Sequence, residues 1–195
     1  MTPEVFSIEL TVDKAYLADV LRAILHSILF LRVFANVQPK DLEVLNISFP
    51  GIDDPDVTAQ VEDKVAAFVR SMESAPTNGF TFKGQIAVMF YEKRTKKAWF
   101  SKSEEEVCWE QWTITLTVQA PPTERERLKL RKAMSSQLSH TLATMLRTVN
   151  EKRDHIPPIT SNDNPFPYQI ALPTSSDSWG SMLKRMLDTT PPVLS

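Results

Sequence analysis

Phe6, Ile8, Leu10 and Val12 alternate with Ser7, Glu9 and Thr11, a period of two that predicts a strand with one buried face. Leu17, Leu21, Ile24, Ile28 and Leu31 then recur at helical steps, and Leu25 and Leu29 widen that stripe. A largely buried helix follows the strand and ends near Phe34, ahead of Pro39. Leu45, Ile47 and Phe49 alternate with Asn46 and Ser48 before Pro50-Gly51, which predicts a second strand broken at that turn pair. Val57, Val61, Val65, Phe68 and Met72 return to helical spacing after Asp54-Pro55, a cap-like start, and stop before Pro76 and Gly79.

Residues 80–91 and 109–119 carry the strongest strand patterns. In the second, Trp112, Ile114, Leu116 and Val118 face one way and Thr113, Thr115, Thr117 and Gln119 the other. They are expected to pair as a long hairpin. The connection, about residues 93–107, is polar and longer than a hairpin loop of roughly 2 to 5 residues, so a protruding functional loop is expected there. Pro121-Pro122 ends the second strand, and Thr123 with Glu126 forms a capping box for a long helix. Its stripe of Leu130, Met134, Leu138, Leu142, Met145 and Val149 extends roughly 40 Å. From about residue 154 to 195 prolines predict a partly irregular segment. Tyr168, Ile170 and Leu172 fit a short strand in it, and Trp179, Met182, Leu183 and Met186 a last short helix.

Strands and helices mixed in this order define an α+β class, and 195 residues suffice for a single domain, 1–195, with one core. The 42% hydrophobic and 24% charged content is that of an ordinary globular chain. A net charge of −2 supplies no global field for nucleic acid or anionic lipid, so neither is an expected partner. The apolar run from Leu17 to Phe34 is interrupted by Asp19, Arg22, His26 and Arg32, too often for a membrane span, and no integral membrane association is expected. One cysteine, Cys108, leaves no intramolecular disulfide and points to a cytoplasmic or nuclear setting.

Candidate chemistry is sparse. The histidines at 26, 140 and 155 have no metal-ligand spacing, and four glycines assemble neither a phosphate loop nor a dinucleotide turn. Cys108 lacks a neighbouring base and fits a buried structural thiol. Glu104, Glu105 and Glu106 fit a solvated run, and they follow Lys93, Arg94, Lys96 and Lys97 closely enough to cancel a basic field. No enzyme activity, cofactor or metal is therefore expected. Trp99 and Phe100 stand out in this charged stretch. Tucked onto the domain they would be core; exposed, they would be a protein-binding anchor, because large aromatics dominate interface energetics. The pattern alone fits both.

Phe90-Tyr91-Glu92-Lys93-Arg94, Trp99-Phe100, Trp109-Glu110-Gln111-Trp112-Thr113 and Thr123-Glu124-Arg125-Glu126-Arg127, in that order, resemble the autophagy-related protein 101 family. His155-Ile156-Pro157-Pro158-Ile159 and Asn164-Pro165-Phe166-Pro167-Tyr168 are similar to its fungal members in particular. The resemblance implies a HORMA domain, a mainly antiparallel sheet packed on three helices. It implies a non-catalytic scaffold of the autophagy-initiation kinase complex, cytoplasmic and at the phagophore assembly site, forming a heterodimer with the HORMA domain of autophagy-related protein 13. The long helix from Thr123 to Val149 is expected in that interface.

The family carries a Trp-Phe finger that recruits downstream autophagy factors, and Trp99 and Phe100 occupy the matching positions. Animal members separate the two aromatics by a proline, whereas here they are adjacent. The competing reading is a peptide-closing HORMA switch of spindle-checkpoint or chromosome-axis type, which needs a long mobile segment after the long helix.

Overall fold

Ten alternating residues, Glu4–Asp13, form strand β1, and the buried side of the alternation is the apolar one, Ile8, Leu10 and Val12. The computed structural model describes residues 2–74, 81–98, 101–159 and 166–172, with the side chains of all of these but 74, 95–98 and 101–104. After a single 3-10 turn, helix α1 (Leu17–Arg32) is buried over most of its length, as its wide apolar stripe requires. Strands β2 (Pro39–Val44) and β3 (Ile47–Ile52) form a separate two-stranded sheet. Helix α2 (Pro55–Ser74) begins on Pro55, with Asp54 Oδ1 accepting the N–H groups of Asp56 and Val57 at 2.8 and 2.9 Å, so two first-turn donors are satisfied.

Strands β4 (Thr81–Ala98) and β5 (Ser101–Gln119) pair antiparallel, helix α3 spans Glu124–Glu151, and β6 is Tyr168–Ala171. The main sheet runs β1-β5-β4-β6, with β1 parallel to β5 and the other pairs antiparallel. The expected α+β class, a mainly antiparallel sheet with three helices, is thus observed among the described residues. One contiguous cluster joins Ile114, Leu116, Ile86 and Val88 of the sheet to Leu21 and Ile28 of α1, Val61 and Phe68 of α2, and Met134, Leu138 and Met145 of α3. The Thr123–Glu126 capping box read from the sequence is present.

Helix α3 lies along β1. The Thr11 N–H donates to Gln137 Oε1 at 3.3 Å, the Asp13 N–H to Met134 Sδ at 3.1 Å, and Lys152 Nζ lies 3.7 Å from Glu4 at the strand's other end. Helix side chains thereby occupy donors on the outer edge of a strand that would otherwise invite further pairing.

Two expectations differ from the structure. Residues 39–52 form a hairpin rather than one strand ending at Pro50-Gly51. The turn is Leu45-Asn46, with φ of 50° and 63°, and positive φ at both central residues is what a twisted two-residue hairpin demands. Pro50 fits because it needs no ladder donor, and its carbonyl accepts from Ser27 Oγ at 2.9 Å. Gly51 fits because a Cβ there would meet Leu42 Cδ1 at 2.9 Å and His26 Cβ at 3.3 Å. The second difference is the expected loop at 93–107, which is paired strand to within two residues of its middle. The expected last helix around Trp179 to Met186 lies outside the described residues.

Candidate protein-binding site, a long hairpin and its anchor

The hairpin β4–β5 changes character at one irregularity. Phe90 pairs with Glu110 and Tyr91 with Cys108, so Trp109 is an extra residue on β5, a bulge that bends the strand and sharpens its twist. Because of it Trp109 and Glu110 are both buried. Trp109 packs at ring-centroid distances of 5.0 Å from Phe166, 5.5 Å from His155 and 5.9 Å from Phe90. Cys108 and Tyr91 fall on the opposite face of the sheet with Met89 and Ala171. Burial pushes the Cys108 thiol up to about 11 and raises the Tyr91 hydroxyl well above its ordinary value. Cys108 is thus the inert structural thiol expected from its isolation in sequence.

Glu110 ties the base of the hairpin to the C-terminal end of α1 and, through Arg32, to that of α3. Its carboxylate accepts Arg32 Nε at 2.7 and 2.9 Å and Trp112 Nε1 at 2.6 Å, and His155 Nε2 stands 2.7 Å from Oε2. Arg32 is in the last turn of α1, and its remaining nitrogens donate to the carbonyls of Val149 at 3.4 Å and Lys152 at 3.2 Å. Those carbonyls belong to the C-terminal end of α3, where backbone acceptors lack helical partners. A fully buried ion pair therefore joins α1, β5 and the end of α3. Its stabilising value depends on every lone pair and proton finding a partner, and three side chains, Arg32, Trp112 and His155, converge on this one carboxylate.

Beyond the bulge the hairpin leaves the core. Lys93 is opposite Glu106, Arg94 opposite Glu105, and Thr95 opposite Glu104, followed by Lys96 with Ser103, Lys97 with Lys102 and Ala98 with Ser101. Basic residues on one strand thus face acidic residues on the other, and such cross-strand pairs contribute roughly 0.2–1 kcal/mol each. Arg94 Nε also donates to Glu92 Oε2 at 2.6 Å. Seven residues separate Tyr91 from Ala98, about 23 Å of strand. Glu104, Glu105 and Glu106, expected as a solvated run, lie in register along one strand of this ladder.

Trp99 and Phe100, the residues singled out from the sequence, lie outside the described residues. Their neighbours do not: Ala98 and Ser101 pair directly, so Trp99-Phe100 is the whole connection between the two strands. His26 is buried in α1 under Gly51, and neither ring nitrogen has a hydrogen-bond partner among the described residues. Burial lowers it to about 4. His140 is exposed on α3. Among the described residues no three His, Cys, Asp or Glu groups are placed to hold a metal, and no helix is long and apolar enough to cross a membrane.

Sequence reasoning passed over the Arg32–Glu110–His155 anchor, although two signals point to it. Glu110 shares the parity of Trp112, Ile114, Leu116 and Val118, so its carboxylate belongs to the buried face. Arg32 is a charge in the last turn of a helix with a wide apolar stripe. A buried acid and a buried base on different elements call for each other.

The family model for autophagy-related protein 101 matches residues 9–163. The chain is 34% identical to autophagy-related protein 101 of Arabidopsis thaliana, over 95% of each chain. It is 32% identical to the protein of that name from Schizosaccharomyces pombe, over 93% of each. The human protein of that name is 22% identical, over 82% of this chain and 78% of its own. The plant and fission-yeast identities are alike, so the match supports the family without favouring a fungal branch.

Proposed function

The chain belongs to the autophagy-related protein 101 family, and from that premise we propose that it is a non-catalytic HORMA scaffold of the autophagy-initiation kinase complex. In this reading one surface holds the HORMA domain of autophagy-related protein 13, and a second, the Trp99-Phe100 finger, recruits downstream factors to the phagophore assembly site. The observation that carries it is the hairpin register. Two strands stay paired about 23 Å past the core and leave only Trp99 and Phe100 to join Ala98 to Ser101. A paired, highly charged stalk suits the presentation of an anchor. Direct adjacency of the two aromatics suits a two-residue connection, where the animal pattern inserts a proline.

The outer surface of α3 supports the partner-binding half. Among the described residues the exposed large hydrophobics are Val5, Leu128, Leu146 and Ile159. Leu128 and Leu146 are both on α3. An apolar set on a long helix with charged surroundings fits a HORMA-HORMA interface.

Purification of the tagged chain from its own cells, with identification of what co-elutes, tests both halves. A protein related to autophagy-related protein 13 and a serine/threonine kinase are expected, and Leu146→Asp should strip them away without unfolding the chain. Co-elution of spindle or chromosome-axis components in their place overturns the reading.

A further inference from the structure

The second face of the main sheet is closed off, yet no described helix or hairpin lies on it. Ala87, Met89 and Tyr91 of β4, Cys108, Gln111, Thr113 and Thr115 of β5, and Ala171 of β6 are buried. Met89, Tyr91, Cys108 and Ala171 form a cluster of their own, to which, among the described residues, β4, β5 and β6 contribute. The three helices and the β2–β3 hairpin all join the cluster on the other face. Burial also stops sharply. On β1, Val5, Ser7 and Glu9 share this face and are exposed. Whatever excludes water here lies over β4, β5 and Ala171 of β6; it ends before β1 and before Gln169, which shares the face on β6 and is exposed.

We propose that this face is a docking surface for the chain's own continuation beyond Leu172, seated through Trp179, Met182, Leu183 and Met186. Those four residues recur as i, i+3, i+4 and i+7, one apolar stripe if the segment winds as a helix. The chain leaves β6 at Leu172, directly beside the face. From there to Trp179 seven residues reach up to about 23 Å, more than the roughly 10 Å from β6 across to β5. Of the other stretches outside the described residues, 160–165 are polar or proline, 75–80 contain one large apolar side chain, Phe80, and Trp99-Phe100 join the strands at Ala98 and Ser101, seven residues along β4 from Tyr91. The docked stripe would cover the aliphatic and sulfur groups of Met89, Cys108 and Ala171 while leaving the finger and the outer surface of α3 free.

Cys108, the one cysteine, lies in this cluster and reports on the cover in the full chain. A water-soluble thiol reagent at pH 8 should label it very slowly. Uncovering it restores an ordinary thiol, so relative to its buried value near 11 the thiolate fraction rises roughly a hundredfold. Full-length Trp179→Ser/Leu183→Asp should therefore label faster by at least tenfold while unfolding cooperatively on heating. An unchanged rate in this variant overturns the proposal. A second measurement needs no destabilising change. With photoreactive benzoylphenylalanine in place of Met182, crosslinks to peptides from 85–91 or 108–115 of the same molecule are expected. Crosslinks confined to other regions or to a second copy, or none, overturn it.

Discussion

Replacing Glu110 by Ala is the perturbation whose cost follows most directly from the structure. The carboxylate is fully buried, and its removal leaves the Arg32 guanidinium buried without an anion and the Trp112 N–H without an acceptor. Orphaning one member of a buried pair costs about 3–5 kcal/mol, and a buried unpaired donor about 1 kcal/mol or more. The expected destabilisation is about 4 kcal/mol, a fall in melting midpoint of roughly 8–16 °C for a chain of this size. Glu4→Ala is the control, because its 3.7 Å contact to Lys152 is exposed and such pairs contribute less than about 1 kcal/mol. Urea denaturation of Glu110→Leu, Arg32→Met and the double variant Glu110→Leu/Arg32→Met completes a cycle. The double variant should cost less than the two singles combined by about 2 kcal/mol, since neither charge is left unpaired. A loss below about 1 kcal/mol for Glu110→Ala, or strict additivity in the cycle, would refute the assignment of Glu110 as the common anchor.

Three further outcomes follow from particular contacts. His26 titrates near 6.5 in the unfolded chain and, held down by burial, near 4 in the folded one. The unfolded state binds more protons between these values, so the stability contribution is complete above about pH 6.5 and is lost as pH falls towards 4. His26→Leu should remove about 3 kcal/mol of that pH dependence in denaturation curves, and identical pH profiles would contradict it. Gly84→Ala places a methyl against Met72 Sδ and 2.9 Å from Phe68 Cζ. A cost of about 1–3 kcal/mol is expected in thermal melts, whereas a neutral result would mean that α2 moves freely over β4. Changing Glu104, Glu105 and Glu106 together to Lys sets like charges across the ladder from Lys93 and Arg94. Faster amide exchange from residue 93 to 107 with an unchanged core melt is expected, and unaltered exchange would show that the charges do not brace the hairpin.

What the sequence revealed depended on whether a pattern had an apolar side. β1, α1, α2, α3 and the inner halves of β4 and β5 each set hydrophobic residues against a common core, and their periods read correctly. Residues 93–107 show no alternation of apolar with polar positions, so an alternation rule has nothing to register there. The usable signal was charge, with Lys93 and Arg94 on one strand and Glu105 and Glu106 at the mirrored distance on the other. The β2–β3 turn was missed for a related reason. Leu45-Asn46 lacks glycine, while Pro50-Gly51 looks like a turn but serves close packing against His26 and Leu42. The bulge at Trp109 left no local trace, and with it went the chance to see that Trp109 and Glu110 are buried together. Trp99 and Phe100 were conspicuous as aromatics among charges, but pattern could not separate a buried pair from a presented one; the pairing of Ala98 with Ser101 and the family match bear on that choice.

Substitution of Trp99 and Phe100 by Ala in the full chain tests the central claim most directly, with melting, binding to the HORMA domain of autophagy-related protein 13 and autophagic flux measured on the same variant. Unchanged melting, unchanged HORMA binding and blocked flux are expected. A melting loss equivalent to a core deletion, several kcal/mol, or normal flux with both rings removed, would contradict it.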